Sequence, residues 1–460
     1  MLRSISMKNR NLLATSVGVA LIGLGAMATA QAANYVVMTH GNGLSSTQQE
    51  RIRAAGGTIT AHLPQIGVAI VEAGDGFDAA AGAIPGLQSV TRDVTLDWDI
   101  AEPDSAPIAA EDFANPPGSG DDDRFYDLQW GNAAVDAAGA WNAGYRGAGA
   151  TVAVLDSGAY CAHLDIAPNL IGGASFVPGE TFCNTSGSSH GTHVAGSILA
   201  ADNATGTIGV APEAKLLAVK VLSAATGSGD FAGIIQGMVW AVDNGANVIN
   251  MSLGVRGGLP RSGPGANELS ELINATKRAV QYAGKNEVLV VASAGNDGRD
   301  LDHDASTMSF PGQLPGVLTV SALAPEGWAI DPTVDLDPLA SYSNYGQSTI
   351  HFGAPGGDTR YPGNELCTVG PVTQVCWIFD AVFSTVQVSG GSSFYGWNAG
   401  TSMAAPHVAG VAALVYGKHP GIKASQVESI LKRSADDVGK PGRDDASGFG
   451  RVNAARAVQY

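Results

Sequence analysis

Residues 152–158 read VAVLDSG, residues 190–196 read HGTHVAG and residues 400–410 read GTSMAAPHVAG. The first is an apolar run that stops at Asp156, Ser157 and Gly158. Such a run, without polar alternation, predicts a strand covered on both faces, as in parallel sheets. Comparable runs lie at residues 150–155, 216–221, 247–251, 288–292 and 318–320. Between them, residues 190–201, 231–244, 268–283 and 402–418 read as helices. Alternating strands and helices predict an α/β fold, a parallel β-sheet flanked by helices. Ligands of such sheets bind beyond the carboxyl ends of the strands. Asp156 follows one strand end, and Asn296 follows another through Ser293-Ala294-Gly295.

In chain order the three segments supply an Asp, a His and a Ser, each among small residues. A serine hydroxyl is a weak nucleophile unless an imidazole takes its proton and a carboxylate orients that imidazole. The order Asp, His, Ser is one of several that reach this geometry. The three segments together closely resemble the signatures of subtilisin-like serine peptidases. The resemblance implies Asp156 as the orienting carboxylate, His190 as general base and Ser402 as nucleophile. It also implies Asn296 as a side-chain donor to the oxyanion, beside the Ser402 N–H at a helix N-terminus. Taken singly, Asp156 before Ser-Gly also reads as a turn residue, and Ser402 as a helix cap. An esterase site built on Gly-x-Ser-x-Gly is disfavoured, because Ser402 lies in Gly-Thr-Ser-Met-Ala.

His190 and His193 stand three apart, which invites a zinc reading, but the His-Glu-x-x-His pattern is absent. His193 and His407 read as packed neighbours. Pro406, five residues into the last helix, predicts a kink or a late start. The resemblance makes Gly227, Ser228 and Gly229, with Ser252, Leu253 and Gly254, two rails between which an extended peptide is clamped. Ser293, Ala294 and Gly295 line the specificity pocket, and Asp297 at its rim favours a basic residue. By the same resemblance, structural calcium (Ca2+) is held by Asp165, Asn203 and the carbonyls of Ala201, Thr205 and Thr207. The chain departs from the family at the last ligand, where Tyr126 replaces Gln and Asp127 or Gln129 is the substitute. The acidic loop at residues 297–304 reads as a solvated loop rather than a second cation site.

The remaining sequence frames this domain. Lys8 and Arg10, the apolar residues 12–27 and the small-x-small pattern Ala30-Gln31-Ala32 predict a cleaved signal peptide over residues 1–32. No later run reaches the ~20 apolar residues of a membrane span. Residues 33–99 carry a β-α-β-β-α-β pattern: strands at 35–38, 58–62, 67–71 and 87–98, helices at 45–55 and 77–84. This small α+β unit resembles the inhibitory propeptide of the same family, an intramolecular inhibitor and folding aid. Residues 100–124, rich in Pro, Gly and Asp, read as a linker where processing occurs. Residues 125–460 form the peptidase domain. The four cysteines, Cys161, Cys183, Cys367 and Cys376, allow three pairings; the local ones, Cys161–Cys183 and Cys367–Cys376, are favoured. The last two lie in an insertion between residues 356 and 384 whose role is not legible.

Hydrophobic residues make up 45% of the 460 and charged residues 15%, enough for a large core. The net charge of −17 argues against a nucleic-acid partner. The resulting expectation is a secreted, monomeric serine endopeptidase that acts on protein or peptide substrates and matures by removing its own propeptide.

Overall fold

The structure, a computed structural model, describes residues 32–99, 107–109, 122–184, 186–388 and 392–460. The signal-peptide segment and most of the linker lie outside the described residues. In chain order the small N-terminal unit comprises β1 (Ala33–Thr39), α1 (Ser46–Ala54), β2 (Thr58–Leu63), β3 (Val68–Ala73), α2 (Phe77–Ala81), β4 (Leu87–Arg92) and β5 (Thr95–Asp97). After β6 (Ile108–Ala109) come α3 (Trp130–Ala134), α4 (Ala137–Asn142), β7 (Thr151–Asp156), β8 (Leu170–Ser175), α5 (His190–Leu199), β9 (Lys215–Lys220) and β10 (Ser228–Asp230). Next are α6 (Phe231–Asp243), β11 (Val248–Met251), β12 (Leu259–Pro260), α7 (Ala266–Lys285), β13 (Leu289–Ser293), β14 (Thr307–Met308), β15 (Val317–Leu323) and β16 (Phe352–Pro355). The chain ends with β17 (Leu366–Val369), β18 (Val372–Val375), β19 (Val382–Val388), β20 (Ser392–Asn398), α8 (Thr401–Lys418), α9 (Ala424–Ser434) and α10 (Ala454–Ala457).

Seven strands form one parallel sheet in the order β16-β15-β13-β11-β7-β9-β8. The α/β expectation therefore holds. The alternate residues of its strands feed two cores. Val152, Val154 and Leu216 pack with α5 and α8 on one face, and Ala153, Leu155 and Leu217 pack with α6 and α7 on the other. α8 is buried over its first 16 residues, from Thr401 to Tyr416, which explains why its sequence is apolar all round. Pro406 sits inside α8 without delaying its start at Thr401. A proline in a helix leaves the carbonyl four residues earlier without its N–H partner. Here that carbonyl belongs to Ser402, and the Ser252 hydroxyl donates to it at 2.7 Å.

The insertion forms the β17–β18 hairpin and a following 3-10 turn, with a disulfide joining Cys367 to Cys376. Its Val372, Ile378 and Phe379 pack with Phe125, Phe383, Tyr395 and Trp397 in a separate core beneath the β19–β20 hairpin. The second disulfide joins Cys161 to Cys183. Both local pairings are thus present.

The small unit is a four-stranded antiparallel sheet of order β2-β3-β1-β4. Period-two alternation divides its burial between two partners. Tyr35, Val37, Ala69 and Val71 face their own helices through Ile52, Phe77 and Ala81. Val36, Met38, Val68 and Ile70 join the core under α6 and α7. Arg278 of α7 fastens this contact, donating to the carbonyls of Thr39, Ile66 and Gly67 at 3.0–3.1 Å. Two expected elements differ. The helix at 77–84 ends at Ala81, before Gly82. The strand at 87–98 is broken at Asp93: β4 stays in the small sheet, while β5 crosses to pair antiparallel with β10.

The break has an electrostatic cause. Asp93 accepts from the first two N–H groups of α6, Phe231 at 3.2 Å and Ala232 at 3.0 Å, while the cap residue Asp230 accepts from Gly233 at 2.7 Å. Two carboxylates therefore serve the positive end of one helix. Burial, and then the charge of Asp230, push the Asp93 carboxyl up to about 7 from 3.8. The docked state thus holds a proton that the undocked state releases. Its contribution is complete below the ordinary carboxylate range and is lost as pH rises through about 7. Protection factors of the small sheet, with exchange corrected for its intrinsic dependence on pH, are expected to be lower at about pH 8 than at about pH 5, and Asp93→Asn is expected to flatten that difference.

Candidate active site

Asp156 ends β7 and His190 opens α5, both at the carboxyl edge of the sheet. Both are fully buried, and His190 Nδ1 lies 2.9 and 3.0 Å from the two carboxylate oxygens of Asp156. Such a pair requires α5 to approach the turn after β7 very closely. Gly191 permits it, because a Cβ there would lie 2.1 Å from the Gly158 carbonyl and 3.1 Å from Asp156 Oδ1. The turn is braced from below by Lys220, a buried cation overlooked in the sequence. Its Nζ donates to the Ser157 carbonyl at 2.9 Å and to Asn184 Oδ1 at 2.7 Å, and pairs with Glu180 at 2.7 Å.

Ser402 is the second residue of α8, and its hydroxyl donates to the Ser252 carbonyl at 3.2 Å. α5, which opens with His190, and α8, which opens with Thr401 and Ser402, pack side by side. Asn296 follows β13, and its Oδ1 accepts from the Thr401 N–H at 2.9 Å and the Thr401 hydroxyl at 2.8 Å. With its oxygen so anchored, its Nδ2 faces the cleft. Thr401 is a positioning residue whose part no local sequence signal marks. A second is the buried Asn344, which donates to the Ala294 carbonyl at 2.9 Å and accepts from Asp297 and Arg299 N–H at 3.2 and 2.9 Å. It thereby brackets the turn that carries Asn296.

The two expected rails run along this cleft with a segment of the chain between them. Asp97, Leu96 and Thr95 pair with Ser228, Gly229 and Asp230. Trp98 bridges to Val255, and the Asp99 N–H donates to the Gly254 carbonyl at 2.8 Å. The Trp98 ring is buried against Phe310, with its Nε1 donating to the Gly229 carbonyl at 3.2 Å. Ser293, Gly295, Asn296 and Ser402 line the same cleft.

His193 is completely buried, with Nε2 3.1 Å from the Val382 carbonyl. Burial, and then the neighbouring His190, hold its pKa down at about 3, so it stays neutral as a packing residue. His407 likewise sits with Nδ1 2.8 Å from the Met403 carbonyl.

At the expected calcium position, Asp165 and Asn203 are together: Asn203 Nδ2 donates to Asp165 Oδ1 at 3.1 Å, and the Thr207 N–H to Oδ2 at 3.0 Å. Tyr126 packs on Trp141, and Gln129 brackets Ile208. Asp123, read from sequence as linker, is instead fully buried, accepting from Asn203 and Thr205 N–H at 3.2 and 3.1 Å. Ala204 and Gly206 have φ of 60° and 69°, an alternation that aims successive N–H groups at an anion, here the Asp123 carboxylate. Asp165 has no ion pair among the described residues, and burial lifts its carboxyl to about 7 against the donors around it. A buried carboxylate with amide and carbonyl oxygens is a donor set that suits a hard cation, given a half-turn of the Asn203 amide. Beside it the carboxylates of Asp122, Asp123 and Asp202 converge within 4.8 Å.

A parallel α/β sheet with a buried Asp–His pair and a helix-start serine at one edge is the architecture of a serine hydrolase. The model of the subtilase family matches residues 147–450. Subtilisin DY of Bacillus licheniformis is 36% identical over 318 residues, covering 69% of this chain and 93% of that relative. Subtilisin Savinase of Lederbergia lenta is 38% identical over 335 residues, covering 72% of this chain and 99% of the relative. Among solved structures, fervidolysin from Fervidobacterium pennivorans, a keratinolytic enzyme related to subtilisin, is similar with a TM-score of 0.67 at 25% identity, over 93% of this chain and 61% of its own. The chain belongs to the subtilase family and is a subtilisin-like serine endopeptidase.

Thr401→Val removes the hydroxyl that anchors Asn296 Oδ1 while keeping the side chain's shape. It is expected to lower kcat about two- to ten-fold, the worth of one hydrogen bond, with KM little changed. Steady-state kinetics on a chromogenic peptide check this.

Proposed function

We propose that the protein is an exported, self-processing endopeptidase in which Ser402 attacks the peptide carbonyl. His190 takes the Ser402 proton and passes it to the leaving amine, while Asp156 holds the imidazole's tautomer and supports its charge. Asn296 Nδ2 and the Ser402 N–H receive the oxyanion; the latter is among the N–H groups that a helix start leaves without intrahelical partners. The buried Asp156–His190 pair supports these roles.

The observation that carries the self-processing reading is the position of β5. Residues 95–99 lie as an added strand between rails that end beside Ser402. Residues 33–99 would then act as an intramolecular inhibitor and folding aid. In an antiparallel ladder, each step of two residues along one strand is a step of two back along the other. Asp99 is opposite Gly254, so two residues further the register reaches Ser252, whose carbonyl receives the Ser402 hydroxyl. The expected first cut follows Ala101. Export rests on residues 1–32 and fits the two disulfides, which persist in oxidising compartments. No helix among the described residues is long and apolar enough to cross a membrane. We assign substrates as proteins or peptides and the working form as a monomer.

Intact-mass spectrometry of the purified protein beside Ser402→Ala, with casein digestion in parallel, tests the reading. The wild type is expected to release a fragment ending at Ala101 and to digest casein; the variant is expected to stay joined and inert. Equal masses and no digestion by either would contradict it.

We also assign a structural calcium ion to Asp165, Asn203 and the carbonyls of Ala201, Thr205 and Thr207, with Asp123 across the loop. When bound, the ion would neutralise Asp165 and brace the loop. A ligand present at about 100 times its Kd adds about 2.7 kcal/mol. Removing calcium is therefore expected to lower Tm by roughly 3–5 °C in a domain of this size. Asp165→Asn is expected to abolish the calcium dependence, which differential scanning calorimetry reads directly. An identical wild-type Tm with calcium and with chelator would overturn the assignment.

A further inference from the structure

Asp99 is held by more than the ladder. One carboxylate oxygen accepts from Arg256 Nη2 at 2.6 Å, and the other accepts from Asn296 Nδ2 at 3.1 Å. Its side chain is only 20% exposed, whereas that of Arg256 is 79% exposed at the cleft mouth. Arg256 stands two residues beyond the rail residue Gly254, on a loop tied down at both sides. The Gly257 N–H donates to Asp297 Oδ1 at 2.9 Å, and Arg299 Nη1 donates to the Gly257 carbonyl at 2.6 Å. Asp297, expected from sequence to attract a basic residue, is thus engaged by this loop. Its charge adds to that of Asp99 in holding Arg256 protonated. The cation that an incoming peptide meets here is Arg256.

We propose that Arg256 forms a carboxylate-recognising subsite, so that extended peptides with Asp or Glu at the position held by Asp99 are preferred substrates. That position is two residues before the one whose carbonyl Ser402 attacks, so the inference rests on the peptidase reading above. Arg256 is the selecting group and Asp99 is the chain's own occupant. In the docked chain the second carboxylate oxygen of Asp99 occupies Asn296 Nδ2. During turnover that amide is needed at the oxyanion, which leaves Arg256 as the discriminating contact. An arginine fork suits a carboxylate, and a basic side chain at this position would meet like charge. Because Arg256 is exposed, the preference is modest and salt-sensitive.

The test uses the active enzyme and three fluorogenic peptides that differ only in Asp, Asn or Lys at this position. At low salt kcat/KM is expected to be roughly five-fold higher for Asp than for Asn, and lower again for Lys. The Asp preference is expected to fade near 1 M NaCl, where the Debye length is about 3 Å. Arg256→Glu, an exposed change that leaves the fold intact, is expected to reverse the order of Asp and Lys. Equal kcat/KM for all three peptides, or an unchanged order in Arg256→Glu, would overturn the subsite and leave the peptidase reading standing. Absence of cleavage of every peptide would overturn that reading and the subsite with it.

Discussion

A carboxylate and an imidazole, both sealed from solvent, hydrogen-bond at the edge of a parallel sheet, and the site is built around that contact. An ionised group buried without a partner is prohibitively costly, so Asp156 and His190 must be brought together or not buried at all. Bringing them together demands a strand end and a helix start at nearly touching distance. The missing side chain of Gly191 allows that approach, and Lys220 fixes the turn beneath it. The parallel register Asp156↔Lys220 sets this cation in place, so the sheet itself supplies the support.

The Ser402 side of the site follows from α8. A helix buried for most of its length cannot shift or tilt without disturbing the core around it. Ser402 therefore takes its position from packing rather than from a flexible loop. Pro406 opens a hydrogen-bonding vacancy at the Ser402 carbonyl, and the Ser252 hydroxyl fills it. Ser252 and Ser402 are in this way joined by two hydrogen bonds of opposite direction. Thr401 ties Asn296 to the same helix start. Ser402, Ser252 and Asn296 are thereby linked in one set of hydrogen bonds.

Much of this was legible in the sequence because it is written in local chemistry. Continuous apolar runs such as residues 150–155 mark buried parallel strands, and the small residues around Asp156, His190 and Ser402 announce close packing. Local cysteine spacing was enough to favour the two pairings that form. What escaped was decided by tertiary partners. The run at 87–98 looks like one strand, but Asp93 leaves the small sheet for the N-terminus of α6, and β5 finds its ladder in β10. The edge strands β8 and β16, LIGGAS and FGAP, carry glycines that weaken the strand signal. Asp123 sits in a run of three aspartates that reads as solvated linker, and only the αL turns at Ala204 and Gly206 give its carboxylate a buried seat. Thr401, Asn344 and Arg256 act through side-chain contacts across long sequence separations, which no local pattern encodes.

The central claim is the proposal that Ser402 is the nucleophile and that the Asp156–His190 pair activates it. Labelling the active protein with a peptidyl phosphonate, followed by peptide mapping of wild type and His190→Ala, tests it most directly. The account predicts a single adduct on Ser402 in the wild type, and a labelling rate lower by several orders of magnitude in the variant. An adduct on another residue, or equal labelling of Ser402 without His190, would contradict it.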